Sequence, residues 1–327
     1  MRAGWAGEIG CFGKLPVSPE FIRVNAKGTT LEAFDQWIQE GLLWCRAKIG
    51  PQWRNDFLQS EPWNFMFHIP KQREWLIGVL VPSHDKAGRV FPMMVFYRLC
   101  DNTHGDSTYT AMYPLFFQEF LENAKNLLQD EWKTLSLVEF REQVGKLLAP
   151  NPLKSDQMTF LYDEFLQSYS LKTLLKACGV SCQGLTDEAV KVMVQEMVGK
   201  NHPSLNSQMG KLMAFPLIHE PAFPFEIPFW MDYVASLTAP GKSVPLLLWN
   251  KCPRNGRAIL LMQESPLAPK SFWSLLHPTT NLESLWKMCS IGDTEPGVEE
   301  EELRLGNQQR ENFSDHSLHG LLERQHI

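Results

Sequence analysis

Ser83, His84 and Asp85 supply the hydroxyl, imidazole and carboxylate of a hydrolase triad, but they are three consecutive residues. A triad needs these groups to converge in a line, which neighbours along one chain rarely achieve. The sequence also has no Gly-x-Ser-x-Gly elbow to expose a nucleophile. We therefore predict a turn here, in which Ser83 or Asp85 binds backbone amides. We predict no catalytic residues in the chain and no enzyme activity.

Two further patterns fall short of a cofactor site. The segment 241–243 (Gly-Lys-Ser) resembles the end of a phosphate loop, but the first glycine of that loop would fall at Ser236. Cys178 and Cys182 are the one closely spaced cysteine pair, whereas a closed zinc site needs four ligands. The sequence therefore predicts no metal and no cofactor.

Two other patterns combine glycine, proline and charge as a binding surface would. The first, near the N-terminus, consists of Gly13, Lys14, Leu15, Pro16 and Phe21. The second is a predicted hairpin turn with Pro82, Ser83, Asp85, Gly88, Arg89, Phe91 and Pro92. In that turn Asp85 can cap the backbone while Arg89 presents a fixed fork of donors. Two interpretations stay open: a structural hairpin tip, or a surface on which Arg89 and Lys14 together bind a partner protein.

Composition narrows the class of partner. The 327 residues carry a net charge of -6, which argues against nucleic-acid binding because that function normally needs a basic face. No apolar run reaches the ~18 to 20 residues of a membrane span, and the start lacks a signal-peptide pattern. The seven cysteines are odd in number and scattered, as in a reducing compartment. We predict a cytoplasmic protein with protein partners, and the oligomeric state stays open.

Hydrophobic periodicity predicts the elements that must hold these patterns. A capping box at Thr29-x-x-Glu32 precedes an apolar stripe at steps of three and four, which predicts a helix through residue 49. Short apolar runs predict strands near 9–14, 63–68, 75–81, 90–99, 244–249 and 258–263. Short connections favour antiparallel neighbours. The predicted fold class is α/β: a mostly antiparallel mixed sheet with flanking helices and an inserted, mainly α-helical region.

The same patterns divide the chain into four predicted parts. They are an N-terminal α/β module (1–109), a helical insertion or bundle (110–213, ending in a possible helix over 204–213), C-terminal strands and a helix that complete the sheet (214–290), and an acidic tail (291–327). A two-domain alternative keeps the terminal halves apart. The tail is expected to be disordered, with a short docking helix around Leu318, Leu321 and Leu322 as the alternative.

At residues 8–99 the order and spacing of motifs resemble a known family. The motifs are GCFGKLP followed by EF, then LEAFDQWIQEGL, then GVLVPSHDKAGRVFPMMVF. This pattern is similar to the TagF family, also called ImpM, of bacterial type VI secretion-associated proteins. Pro19-Glu20 stands before Phe21 where the family commonly has Gly-Asp, which removes the backbone freedom of glycine. The helical region and the tail also make this chain longer than a usual member.

The resemblance implies a cytoplasmic, non-enzymatic accessory protein that regulates type VI secretion post-translationally, as a repressor. The implied partner is the forkhead-associated scaffold protein of the threonine-phosphorylation pathway. Occlusion of that scaffold would need an interface of about 1,000 Å² or more with a few aromatic or arginine anchors. Arg89, Lys14, Phe21 and an exposed Trp53 are the hypothetical anchors. The alternative is a structural or adaptor subunit of the secretion apparatus.

Overall fold

The computed structural model describes residues 6–100, 110–150, 155–199, 210–219, 224–238, 243–251, 253, 257–277 and 317–323. Its strands are β1 (Ala6–Lys14), β2 (Phe21–Val24), β3 (Trp63–His68), β4 (Glu74–Val81), β5 (Met93–Cys100), β6 (Leu212–Pro216), β7 (Leu246–Asn250) and β8 (Ile259–Gln263). The helices in the first part of the chain are α1 (Thr29–Ile49), α2 (Trp53–Gln59), α3 (Tyr113–Phe116), α4 (Gln118–Leu127) and α5 (Leu137–Gly145). The later helices are α6 (Ser155–Ser168), α7 (Leu171–Ala177), α8 (Asp187–Gly199), α9 (Glu226–Leu237), α10 (Trp273–Leu276) and α11 (Leu318–Glu323). None of these helices combines the length and apolar character needed to cross a membrane.

All eight described strands form one sheet in the order β2-β1-β5-β4-β3-β7-β8-β6. Every pairing among them is antiparallel. The predicted α/β class with a mostly antiparallel sheet is therefore confirmed. β3 and β7 join the N-terminal strands to the C-terminal ones, with Phe65 opposite Leu248. The limits of the four predicted parts remain predictions.

Helices cover both faces of the sheet. Phe65, Gly78 and Phe96 share a face because they are direct cross-strand partners, and the Phe34 ring of α1 stacks on Phe65 with the centroids 4.8 Å apart. Consecutive strand residues point to opposite faces, so Tyr97 lies on the other side. There its ring meets that of Phe117, which lies between α3 and α4, at 5.4 Å.

Helix α1 begins differently from the prediction. Its N-cap is Gly28 and no side chain caps it, because the Thr29 hydroxyl instead lies 3.1 Å from Gln72 Oε1. The predicted capping box at Thr29 and Glu32 is therefore wrong. The predicted apolar stripe is buried as expected, at Leu31, Phe34, Trp37, Ile38, Leu42 and Cys45.

Two strands and one helix end also differ from the prediction. β2 is not among the predicted strands. It has only four residues after a proline-containing turn, which is too short for a clear local signal, and it pairs with β1 as a strand. The helix predicted over 204–213 is wrong at its described end, because Leu212 and Met213 begin β6 and pair with β8.

Residues 291–312, expected to be disordered, lie outside the described residues. Residues 318–323 of the tail form α11, which corrects the expectation of disorder at that position.

A matched pair of helical glycines tests the packing of α1. A Cβ on Gly41 would lie 2.4 Å from Phe272 Cβ, whereas a Cβ on Gly145 would have nothing within 4 Å. We expect Gly41→Ala to lower the free energy of unfolding by about 1–3 kcal/mol through overpacking. Gly145→Ala should raise it by about 0.4–1 kcal/mol, because alanine favours the helix and restricts the unfolded chain. Urea denaturation of both variants makes the comparison, and a stabilising Gly41→Ala would contradict this packing.

Candidate protein-binding surface

The two patterns singled out in the sequence come into contact at the tips of two hairpins. In the first hairpin, β1 and β2 place Lys14 directly opposite Phe21. The second tip is the turn between β4 and β5. The Ser83 hydroxyl donates to the Lys14 carbonyl at 2.7 Å, and the Lys86 amide donates to the Ser18 carbonyl at 3.0 Å. These bonds join residues about 70 positions apart, so the tips form one structure.

Asp85 closes its own turn, as the sequence predicts. Its Oδ1 accepts hydrogen bonds from the amides of Ala87 at 3.0 Å and Arg89 at 2.9 Å. The Gly88 amide donates to the Asp85 carbonyl at 2.8 Å, and Gly88 has a φ of 80°, a left-handed conformation that favours glycine. These hydrogen bonds therefore restrain the backbone of this tip.

The other oxygen of Asp85 holds two cations. Its Oδ2 accepts from Lys14 Nζ at 2.8 Å and from Arg89 Nε at 2.7 Å. Burial alone would raise the pKa of Asp85, but the hydrogen bonds from Lys14 and Arg89 outweigh it and hold the pKa well below its usual range. The Arg89 Nη2 atom also donates to the Pro19 carbonyl at 2.6 Å, which fixes the first tip to the second.

Lys14 is buried, contrary to its predicted place on the surface. Its side chain is 7% exposed and its charge is paired with Asp85, whose side chain is completely buried. The Arg89 side chain is 65% exposed. Of the two predicted cationic anchors, only Arg89 is accessible to a partner. Lys14 is buried and contributes to the surface by its ion pair with Asp85.

Phe21 is the aromatic side chain that the surface presents. It is 40% exposed and stacks on Phe12 with ring centroids 5.4 Å apart and 17° between the planes. Its other neighbour is Phe91, in an edge contact at 5.0 Å, and Lys14 Nζ lies 5.1 Å from the Phe21 ring centre. The contacts with Phe12 and Phe91 restrict the Phe21 side chain, so it loses less conformational entropy when it binds a partner.

The remaining predicted residues are structural. Gly13 has a φ of 144°, and a Cβ there would lie 2.1 Å from the Pro92 carbonyl oxygen, so only glycine allows this close approach. The side chains of Leu15, Ser83, Phe91 and Pro92 are buried, and Pro16, Pro82 and Gly88 are partly buried. Trp53, expected to be exposed, is also partly buried, since it packs against the core.

Three exposed residues at or next to the tips were missed in the sequence. Arg23 lies over the Phe12 ring at 5.0 Å, and Arg54 donates to the Gly88 carbonyl at 3.0 Å. Val17 is also exposed, in the turn between β1 and β2. Arg23 follows Phe21 by two residues, so a correct prediction of β2 would have placed both on one face. We call the exposed side chains of Val17, Phe21, Arg23, Arg54 and Arg89 the hairpin-tip surface.

The other chemical patterns do not form sites in the described part of the chain. Ser83, His84 and Asp85 each bind a different group, with His84 Nδ1 2.9 Å from the Asp85 carbonyl oxygen. The thiols of Cys178 and Cys182 are buried against carbonyls of the chain. Within the described ranges, no three His, Cys, Asp or Glu side chains are arranged to hold a metal ion. Gly241 and Lys242 lie outside those ranges.

Comparison with known proteins bears on the same residues. Residues 10–147 match the TagF N-terminal domain, which is type VI secretion system-associated. Residues 10–147 therefore form a TagF N-terminal domain. The TagF domain contains both hairpin tips, and its match continues past residue 109, where we predicted the end of the N-terminal module. The family resemblance seen in the motifs is thereby confirmed.

A crystal structure and a sequence search complete the comparison. The crystal structure of PA0076 from Pseudomonas aeruginosa PAO1, at 2.05 Å resolution, has a TM-score of 0.48 to this structure. The sequences are 18% identical, over 89% of this chain and 98% of that chain. No curated protein sequence matches the chain.

Proposed function

We propose that the chain is a cytoplasmic, non-enzymatic regulator of type VI secretion that acts by binding another protein. The association with type VI secretion follows from the TagF domain. Beyond that association, we propose a repressor whose partner is the forkhead-associated scaffold protein. Binding would occlude the scaffold and keep it from the secretion apparatus.

The observation that carries this proposal is the construction of the hairpin-tip surface. Aromatic and arginine side chains dominate the energy of protein interfaces, and this surface presents Phe21 and Arg89 on a rigid base. That base is the buried carboxylate of Asp85, bonded to Lys14, to Arg89 and to two backbone amides. A surface that is already ordered loses less entropy on binding than a mobile loop does.

The charge of this surface also suits a particular kind of partner. Arg23, Lys86 and Arg89 are exposed at the two tips and Arg54 is exposed on α2 next to them, with Glu20 as an exposed carboxylate nearby. The chain as a whole carries a net charge of -6. A locally basic region on an acidic protein attracts an acidic face of a partner. This attraction raises the rate at which the two proteins associate and orients them toward each other. We therefore expect the bound region of the scaffold to be acidic.

Deletion of the gene and affinity purification from the same strain test the proposal. A repressor predicts that secretion rises when the chain is deleted and falls again when it is restored. The tagged chain should also co-purify the scaffold protein. Secretion that is lost on deletion would indicate an activator, and purification without the scaffold would remove the proposed partner.

A groove in the helical region favours the second candidate, an adaptor subunit of the apparatus. The groove encloses about 450 Å³, and its lining includes Phe116, Glu119, Glu122, Leu148 and Met158. Leu148 is 67% exposed, so its side chain is accessible to another protein. An adaptor would co-purify with apparatus components whether or not the scaffold is present. Leu148→Asp should abolish that co-purification without affecting the scaffold.

A further inference from the structure

The last described helix, α11, is seated between α6 and α9. Leu318 is completely buried and Leu321 is almost so. The Leu318 amide donates to the Tyr169 carbonyl at 2.8 Å, and Ser317 forms an isolated β-bridge with Ser170. The end of the chain is therefore docked by two leucines and a short backbone connection.

The site beneath α11 is built by contacts that do not involve it. The Tyr162 hydroxyl of α6 donates to Asp232 Oδ2 of α9 at 2.8 Å. The Phe225 ring, at the start of α9, lies 5.9 Å from the Tyr162 ring and 5.7 Å from the Phe165 ring. These contacts join α6 to α9 directly, so we expect the space between them to keep its shape when α11 leaves.

Helix α11 depends on that site for its own structure. It has six residues, whereas isolated helices shorter than about 12–15 residues are marginal in water. The Ser317 hydroxyl accepts from the Gly320 amide at 3.2 Å, which satisfies one donor of the first turn. In the sequence, residues 278–316 separate His277 from Ser317, which precedes α11. Because α11 belongs to the same chain as its site, its docking is intramolecular, which compensates for weak intrinsic affinity.

We propose that α11 is an exchangeable intramolecular ligand, and that the slot between α6 and α9 is a second protein-docking site. The slot takes a short helix with a serine N-cap and leucines at the first and fourth helical positions, the pattern of Ser317, Leu318 and Leu321. Anchors spaced in this way lie on one side of a helix and fit an apolar groove. The occupant from outside is a helix of another protein with the same pattern, which displaces α11. This proposal is independent of the hairpin-tip surface.

A labelled peptide and the full-length chain test this proposal. The peptide comprises residues 314–327, and the protein carries Leu318→Ala with Leu321→Ala, so that its own helix no longer competes. We expect fluorescence anisotropy to give micromolar binding to this variant and at least tenfold weaker binding to the native chain. Full-length Leu322→Ala, which changes a partly buried leucine of the same helix that packs against the core, should bind the peptide more tightly than the native chain and less tightly than the double variant. A peptide with both leucines changed to alanine should not bind.

Three results would overturn the proposal. The first is equal binding, or none, to the double variant and the native chain. The second is loss of cooperative thermal unfolding in the double variant, which would show that α11 is an integral part of the core. The third is a concentration-dependent dimer of the native chain in ultracentrifugation that the double variant does not form, because the trans occupant would then be a second copy of this chain.

Discussion

Asp85→Asn is expected to lower the free energy of unfolding by about 3–5 kcal/mol, since it leaves the buried Lys14 ammonium without its counter-charge. Lys14 Nζ lies 2.8 Å from Asp85 Oδ2, and neither side chain has substantial contact with water. Removal of one member of such a pair costs far more than the pair contributes net, because the remaining charge stays desolvated. Urea denaturation at pH 7 measures the loss.

Two matched variants separate this effect from general damage to the turn. Lys14→Met should cost less than Asp85→Asn, because Arg89 and two backbone amides still satisfy the carboxylate. Arg89→Gln should cost about 1 kcal/mol or less, since ion pairs with an exposed member contribute little. If Arg89→Gln proved as costly as Asp85→Asn, the stability of the tip would not depend on the buried pair.

The contribution of Asp85 to the free energy of unfolding should change with pH in a definite direction. The folded-state pKa of Asp85 lies below its unfolded value of about 3.9. A carboxyl of this kind contributes stability that is fully present above the unfolded pKa and is lost as the pH falls through the folded pKa. The difference in free energy of unfolding between the native chain and Asp85→Asn should therefore stay constant from pH 8 to about pH 5. Below about pH 4 this difference should become smaller.

If the chain is a repressor, as proposed, Phe21→Ala is expected to abolish repression when it replaces the native chain in a deletion strain. The ring is the exposed aromatic of the hairpin-tip surface, and truncation of a central anchor costs about 2 kcal/mol or more of binding energy, roughly 30-fold in affinity. Because Phe21 is 40% exposed, we expect a loss of only about 1–2 kcal/mol in stability, below the 3–5 kcal/mol of a fully buried phenylalanine. Secretion should rise to the level of the deletion strain.

Phe160→Ala is the matched control, since Phe160 is 62% exposed on α6, outside the hairpin-tip surface. Under the same proposal, Phe160→Ala should lower secretion in the deletion strain to the same level as the native chain. Immunoblots must show equal amounts of both variants, because a less stable protein can also be less abundant. Normal repression by Phe21→Ala would exclude the hairpin-tip surface as the functional interface.

The strands with strong local signals could be predicted from the sequence, and those that depend on their neighbours could not. β3 was predicted at residues 63–68, and it lies at Trp63–His68. β2 has four residues and becomes a strand only through its pairing with β1. The local capping signal at Thr29 failed because a tertiary contact with Gln72 took its hydroxyl.

At the hairpin tips, the sequence predicted the capped turn but not the burial of Lys14. The turn pattern around Asp85 and Arg89 indicated a capped hairpin with a presented guanidinium, and both features are present. Lys14 looked like a surface cation, as most lysines are. Its burial depends on a carboxylate 71 residues away that points toward the interior, which no local pattern reveals.

Calorimetric titration of the purified chain with the purified forkhead-associated scaffold protein of the same strain tests the proposed function most directly. We expect a saturable complex with a Kd in the micromolar range or below, weakened at least tenfold by Phe21→Ala and unchanged by Phe160→Ala. No heat of binding at about 100 μM of each protein, or equal binding by both variants, would contradict the proposal that the hairpin tips hold the scaffold.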